Sequence, residues 1–297
     1  MDEIQLNFNP TTLTILNVIL GLVMFGVALD MKFSDFKLLK TLPRAVTVGL
    51  TSQFLLLPAF TFLLICLIEP RPSIALGMML VAACPGGNIS NFMTHYAGGN
   101  TALSVVMSAI ATMASVVMTP LNISFWGSQR ADTSAILASV EMDPFALFTT
   151  ILILIVIPMC IGIFISERYE NFANKIKKGM KIFSFVFFIG FILAAIATNW
   201  VFFVEYVGVI FFIIVLHNAV ALGTGFSAAT LFGIRSRERK AVTIEIGIQN
   251  SGLGLILIFN YFDGLGGMAI IAAGWGIWHI ISGLTVALLW SKLEPTK

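Results

Sequence analysis

The chain has 297 residues, of which 58% are hydrophobic and only 11% charged, where a soluble domain carries about a quarter. That balance leaves no room for a sizeable soluble domain, and no nucleic-acid partner is expected. The formal net charge of +2 says little by itself, and the three cysteines, Cys66, Cys84 and Cys160, form no CxxC pair that would suggest a metal site or a disulfide framework.

The opening Met1-Asp2-Glu3 lacks the basic region of a cleavable signal peptide, so insertion is expected to rely on the spans themselves. Apolar runs near the length of a membrane crossing recur along the whole chain. They predict an all-α integral membrane protein with nine transmembrane helices, at 12–30, 43–68, 73–97, 101–126, 144–166, 181–198, 205–232, 238–262 and 266–290. The connections are short except for 127–143 and 167–180. Alternate connections hold 15 Lys and Arg on one side and only Arg71 and Arg130 on the other. Because basic residues stay cytoplasmic, this predicts an external N-terminus, a cytoplasmic C-terminus and a multi-pass protein of the cytoplasmic membrane.

Two of these spans break the apolar pattern. The third carries Pro85-Gly86-Gly87-Asn88-Ile89-Ser90-Asn91, and the eighth carries a polar, glycine-bearing stretch from Glu245 to Gly254. Pro85 removes a backbone donor, and Gly86 and Gly87 permit non-helical dihedrals. Irregular backbone at membrane depth survives only where protein or an aqueous cavity surrounds it. Each break lies in the second-last span of its half, and the two spans run in opposite directions. That is the expectation for inverted repeats meeting at discontinuous helices. Residues 1–126 would form a four-span repeat broken in 73–97, residues 127–143 an external linker, and residues 144–297 a five-span repeat broken in 238–262.

Glu245 is the acidic residue set deepest in a predicted span, about 10 Å along a helix starting near Glu238. An ionised carboxylate there needs a cation, a proton or a dense set of donors. Gln249, at i+4, shares its face. A pairing with Arg239 or Lys240 near the membrane surface is the plainer alternative. Ser90 and Asn91 follow the first break, and Ser104 and Ser108 lie on one face of the next span, continued by Thr112 and Ser115. Hydroxyl, amide and carboxylate oxygens are hard ligands, and one negative charge among neutral oxygens suits a monovalent cation such as sodium. For the serines, close helix packing is the competing reading. Gln53, in mid-span, either completes an oxygen shell with Glu245 and Gln249 or makes an interhelical hydrogen bond. His217, Asn218 and His279 read as structural hydrogen-bonding residues or cavity lining. Helices restarting after the breaks turn free N–H groups and a positive dipole end to the midplane, which favours an anion, and Asn88 and Asn250 add amide donors. With no Arg or Lys placed inside a span, positive charge is expected from helix ends and bound cations.

At these residues the sequence resembles the bile acid:sodium symporter family: CPGGNISNFM is similar to the family's first crossing-helix motif and EIGIQNSGLG to its second. The likeness runs from about Thr12 to Leu289. It implies a core domain containing two crossed helices, a panel domain, and two Na+ sites. One site would use Ser90, Asn91, Ser104, Ser108 and Glu245. The other would use Gln53, Glu245, Gln249 and the backbone carbonyls of Ile246 and Ile248. Asn88, Asn250 and Gly87 fall where the family places the substrate, and His279 matches a cavity position. Bacterial members generally have ten spans, so an N-terminal span is absent by this reckoning, as it is in the nine-span vertebrate carriers. Asn88 stands where a threonine is common in bacterial relatives. The implied function is sodium-coupled symport of an organic anion, a bile acid or a smaller carboxylate such as a pantoate-like acid, by a monomer or dimer. A proton-coupled organic anion transporter or exchanger using Glu245 as proton carrier is the alternative. A channel and a receptor are weaker readings. Enzymatic activity is not expected, since no nucleophile–base pair, HExxH motif or facing aspartates occur.

Overall fold

The computed structural model describes residues 10–140, 143–198 and 200–293. Among them the chain is helical, and an isolated antiparallel bridge joins Gly86 to Gln249. The main helices are α1 (Pro10–Ala28), α2 (Pro43–Ile68), α3 (Pro72–Ala83), α4 (Ile89–Tyr96), α5 (Thr101–Gly127), α6 (Ala131–Ser139), α7 (Pro144–Arg168), α8 (Glu170–Thr198), α9 (Trp200–Leu231), α10 (Ser236–Gly247), α11 (Ser251–Tyr261) and α12 (Gly266–Leu293). Short helical turns at Phe33–Lys37 and Leu38–Thr41 join α1 to α2.

The helix starts follow local chemistry. Pro43, Pro72 and Pro144 occupy first-turn positions where a missing N–H costs nothing. Asn100, Asp143 and Asn250 cap α5, α7 and α11, accepting from the backbone N–H groups of Leu103, Phe145 and Leu253. Two helices contain a five-residue π segment, Ser52–Leu56 in α2 and Leu152–Val156 in α7, and each lies just before a proline, Pro58 or Pro158. A proline inside a helix cannot donate and pushes away the carbonyl four residues back, so the ladder widens locally to the i→i+5 pattern.

Five helices, over Pro43–Ile68, Thr101–Gly127, Pro144–Arg168, Gly208–Leu231 and Gly266–Leu293, are long and apolar enough to cross a membrane. Thr14–Ala28, Pro72–Ala83 and Ser251–Tyr261 are shorter apolar helices. Large apolar side chains such as Leu67, Phe164, Phe212 and Leu231 are exposed on the outside, as a lipid-facing surface requires.

Two expected connections are more ordered than the sequence suggested. The stretch 167–180 is helical from Glu170 onward, where α8 extends beyond the apolar region and Lys177 and Lys181 both meet Asp30. The stretch 127–143 contains α6, which buries Thr133 and Leu137.

Helices α1, α7 and α8 pack closely together. A Cβ added to Gly26 would lie 2.9 Å from Met180 Cβ, and one on Gly162 would lie 2.6 Å from the Phe25 carbonyl oxygen. The Ser166 hydroxyl donates to Leu29 O, while Asp30 bridges Lys177 and Lys181. The largest core draws on α1, α2, α3, α5, α7, α9, α10, α11 and α12, and a Cβ on Gly77 of α3 would approach Met268 Cα to 2.8 Å. Reciprocal amide bonds between Asn17 and Asn260, at 3.1 and 3.2 Å, tie α1 to α11.

Candidate ion and substrate site

The site grows from the two helix interruptions, α3 to α4 over Cys84–Asn88 and α10 to α11 over Ile248–Asn250. They meet directly: Gly87 N–H donates to Ile248 O at 2.6 Å, and Asn250 N–H donates to Pro85 O at 2.9 Å. The second break is narrower than the sequence suggested, and Glu245 lies within helix α10. Gly86 and Gly87 also serve for a different reason than expected. Neither adopts a positive φ. What requires glycine is proximity: a Cβ on Gly86 would sit 2.2 Å from Glu245 Oε1, and one on Gly87 would sit 2.9 Å from Gln249 O.

Breaking two buried helices frees carbonyls that need donors. The Thr119 hydroxyl donates to Ala83 O at 2.7 Å, and Gln53 Nε2 donates to Cys84 O at 2.8 Å. On the other strand, Gln249 Nε2 donates to Ile246 O at 2.7 Å, and Asn218 Nδ2 donates to Gly247 O at 2.8 Å. Asn218 is in turn held by the Ser282 hydroxyl. These partners come from α2, α5, α9 and α12, so the irregular segment is fixed from all sides.

Glu245, 1% exposed, receives hydrogen bonds from three serines. Ser90 Oγ donates to Oε2 at 2.6 Å, Ser108 Oγ to Oε1 at 2.7 Å, and Ser104 Oγ to Oε2 at 3.3 Å. Asn91 Oδ1 lies 2.8 Å from Ser104 Oγ and 3.3 Å from Ser108 Oγ, so each of these hydroxyls has its one proton to share between Asn91 and Glu245. All five residues proposed for the first cation site therefore form one cluster. The Lys240 ammonium lies instead against Ala97 O at the end of α4, at 3.0 Å. Thr94, one turn beyond Ser90, adds a hydroxyl 3.4 Å from Ser104; its i+4 spacing from Ser90 was the readable sign.

The second proposed set is only partly assembled. Gln53 and Gln249 face each other, with Gln53 Nε2 donating to Gln249 Oε1 at 2.9 Å and Gln249 Nε2 to Gln53 Oε1 at 3.3 Å. Ile246 O belongs to this group through Gln249. Ile248 O is engaged by Gly87, and the hydrogen bonds of Glu245 run to the serines rather than the glutamines. Both glutamine amides orient to satisfy neighbouring carbonyls, so their oxygens would have to reorganise to ligate a cation.

A cavity of about 710 Å³ opens beside the crossing, lined by Gly87, Asn88, Asn250 and His279. Asn250 spends its side-chain oxygen capping α11, which leaves its NH₂ group as a donor. His279, 6% exposed, has an Nδ1 without a hydrogen-bond partner, and no side-chain bond caps α4 at Asn88. The first-turn amides expected to be free are partly used: Ser90 N–H bonds Gly87 O and Asn91 N–H bonds Asn88 O. His217 lies elsewhere, with Nε2 2.8 Å from the Thr61 hydroxyl and its ring against Trp275. The cavity wall also includes Asp30 and Lys181, which stand at the ends of the predicted spans 12–30 and 181–198.

The model of the Sodium Bile acid symporter family matches residues 17–206. The chain is 32% identical to the uncharacterized sodium-dependent transporter YocS of Bacillus subtilis (strain 168) over 282 residues, covering 95% of this chain and 84% of that protein. It is 26% identical to the probable sodium/metabolite cotransporter BASS1, chloroplastic, of Arabidopsis thaliana, over 93% of this chain and 66% of the relative. Against the human ileal sodium/bile acid cotransporter it is also 26% identical, over 81% of this chain and 67% of the relative. These relatives are transporters and not enzymes. With its apolar exterior, its two broken helices and this match, the chain belongs to the sodium bile acid symporter family, a family of sodium-dependent membrane transporters.

Proposed function

We propose that the protein is a sodium-coupled symporter of an organic anion, working by alternating access around the crossing of its broken helices. The observation that carries this reading is the buried Glu245 carboxylate held by the hydroxyls of Ser90, Ser104 and Ser108 beside Asn91. The hydroxyls now donate to the carboxylate. A sodium ion would let them turn and offer lone pairs, with Glu245 supplying the balancing charge. A second sodium ion at Gln53, Gln249, Glu245 and the carbonyls of Ile246 and Ile248 would need the two amides to swing their oxygens inward. Binding there would tighten the crossing segment, which in turn presents Gly87, Asn88, Asn250 and His279 to the anion.

In this reading the interrupted pairs α3/α4 and α10/α11 each make one crossing. Together with α1, α2, α5, α7, α8, α9 and α12 they give nine, arranged as the inverted repeats 1–126 and 144–297 about the linker 127–143. Helices α1, α7 and α8 would form the panel, and the remaining spans the core. The N-terminus would lie outside and the C-terminus in the cytoplasm. The sodium dependence named for the relatives favours sodium over protons as the coupling ion.

The test is a thermal-shift measurement of purified protein in sodium and in potassium, repeated for Glu245→Ala. Sodium should stabilise the native chain selectively, and the substitution should abolish that difference. An unchanged sodium effect in Glu245→Ala would remove the assignment, and stabilisation that follows pH but ignores sodium would favour proton coupling.

A further inference from the structure

The cavity has a second polar region that the crossing does not account for. It runs along the last turns of α1 and the turn after it, from Val23 to Met31, and its wall includes Asp30, His95, Lys181 and Ser184. Met31 packs in one cluster with Ala109 and Val105, near the start of α5, so this region lies toward the end of α4 that carries His95. Asn88 and His95 are seven residues apart on α4, which separates the crossing from this region by about 10 Å. The cavity wall also carries the apolar side chains Val27, Val105 and Ile280.

The charge arrangement here is unbalanced. Asp30 pairs with both Lys177 and Lys181, the latter at 2.7 Å. One carboxylate thus faces two ammonium groups one helical turn apart on α8, leaving a net positive charge. Lys181 is the member that lines the cavity, and its side chain is 57% exposed, so the pair with Asp30 is easily exchanged. With Lys177 remaining on Asp30, Lys181 can leave without stranding the carboxylate.

We propose that Lys181 determines specificity, and that the cavity is built for an elongated organic acid with two anionic groups, one met by the Asn88 and Asn250 amides at the crossing and the other by the Lys181 ammonium. This rests on the transport reading above. The apolar side chains of the cavity wall suit a methylene or other hydrocarbon segment, and Asp30 occupies the place that the substrate's second acid group takes.

The experiment uses the full chain in detergent with sodium present. Two series of probes are compared by thermal shift: monocarboxylates from butyrate to decanoate, and dicarboxylates from succinate to decanedioate. A dicarboxylate should bind the native protein more tightly than the monocarboxylate of equal length. Lys181→Gln should reduce that affinity about tenfold, as expected for one charge-assisted contact, while monocarboxylate binding stays unchanged. Lys177→Gln, which leaves Lys181 as the one lysine on Asp30, should weaken the dicarboxylate preference, but by less than Lys181→Gln does. Asp30→Asn, which frees Lys181, should keep or strengthen it. The proposal is overturned if no acid shifts the native protein, if dicarboxylates hold no advantage, if the advantage survives Lys181→Gln, or if Lys177→Gln removes it equally. Loss of the sodium effect alone, with the Lys181-dependent preference intact, would count against the coupled transport reading and not against this one.

Discussion

The serine cluster around Glu245 and the glutamine pair Gln53–Gln249 lie on either side of the same crossing, yet they are built on different principles. The first holds a carboxylate whose hydrogen-bond partners are three hydroxyls, all of which can rotate without breaking the backbone. The second is neutral, and its amides are already committed to each other and to the carbonyls of Cys84 and Ile246. A charged group in a buried pocket favours a cation that its rotatable donors can admit, whereas a satisfied amide pair must exchange existing bonds for one. Under the proposed symport, sodium would enter the serine cluster first and the glutamine pair would respond.

Gly86, wedged between the two clusters, should show the largest effect that separates them from ordinary core packing. Gly86→Ala forces a methyl against Glu245 Oε1. It should destabilise the protein by about 1–3 kcal/mol through overpacking and remove sodium stabilisation as well. A melting shift with intact sodium dependence would mean that Glu245 moves freely and that its position at the crossing is not needed.

An intermediate effect is expected at the glutamine pair. Gln53→Leu leaves the buried Cys84 carbonyl without its donor, a cost of about 1–3 kcal/mol. With a second sodium ion bound at the glutamines, the cooperativity of sodium binding should also fall, while Ser108→Ala should weaken the overall sodium affinity. Identical sodium titration curves for the two variants would erase the distinction between the clusters.

The smallest effect lies far from both, in the linker. Asp132 accepts two hydrogen bonds from the Arg130 guanidinium, and this contact holds its carboxyl below the ordinary aspartate value. A depressed carboxyl stabilises the fold at pH above the unfolded value and loses that contribution as pH falls through the folded one. Asp132→Asn should therefore lower the melting temperature slightly near neutrality, and the difference should vanish in acid. Because the pair is partly exposed, a large shift would show that the linker is held more tightly than its exposure implies.

Much of the site was legible because membrane burial makes polar residues conspicuous. Glu245, Gln249 and Gln53 stood out against apolar runs, and the i, i+4 spacing of Ser104 and Ser108 put both on one helix face. The carbonyls of Ala83 and Gly247, by contrast, gave no sign of needing Thr119 and Asn218, since hydrogen-bond partners across 36 and 29 residues leave no local pattern. Lys181 stands at the first position of the predicted span 181–198 and counts with the basic residues of the cytoplasmic side, although α8 begins at Glu170 and carries it onto the cavity wall.

The sequence by itself determined that the chain is helical and apolar outside, and that it is interrupted at two polar segments. Those properties follow from composition and periodicity, which act on each helix separately. Only the tertiary structure decided that Gly86 and Gly87 are needed for close approach rather than for unusual dihedrals. It also decided that the serines converge on Glu245 and that the glutamines bond each other first. Each of these depends on distances between helices distant in sequence, which packing sets and no local pattern records.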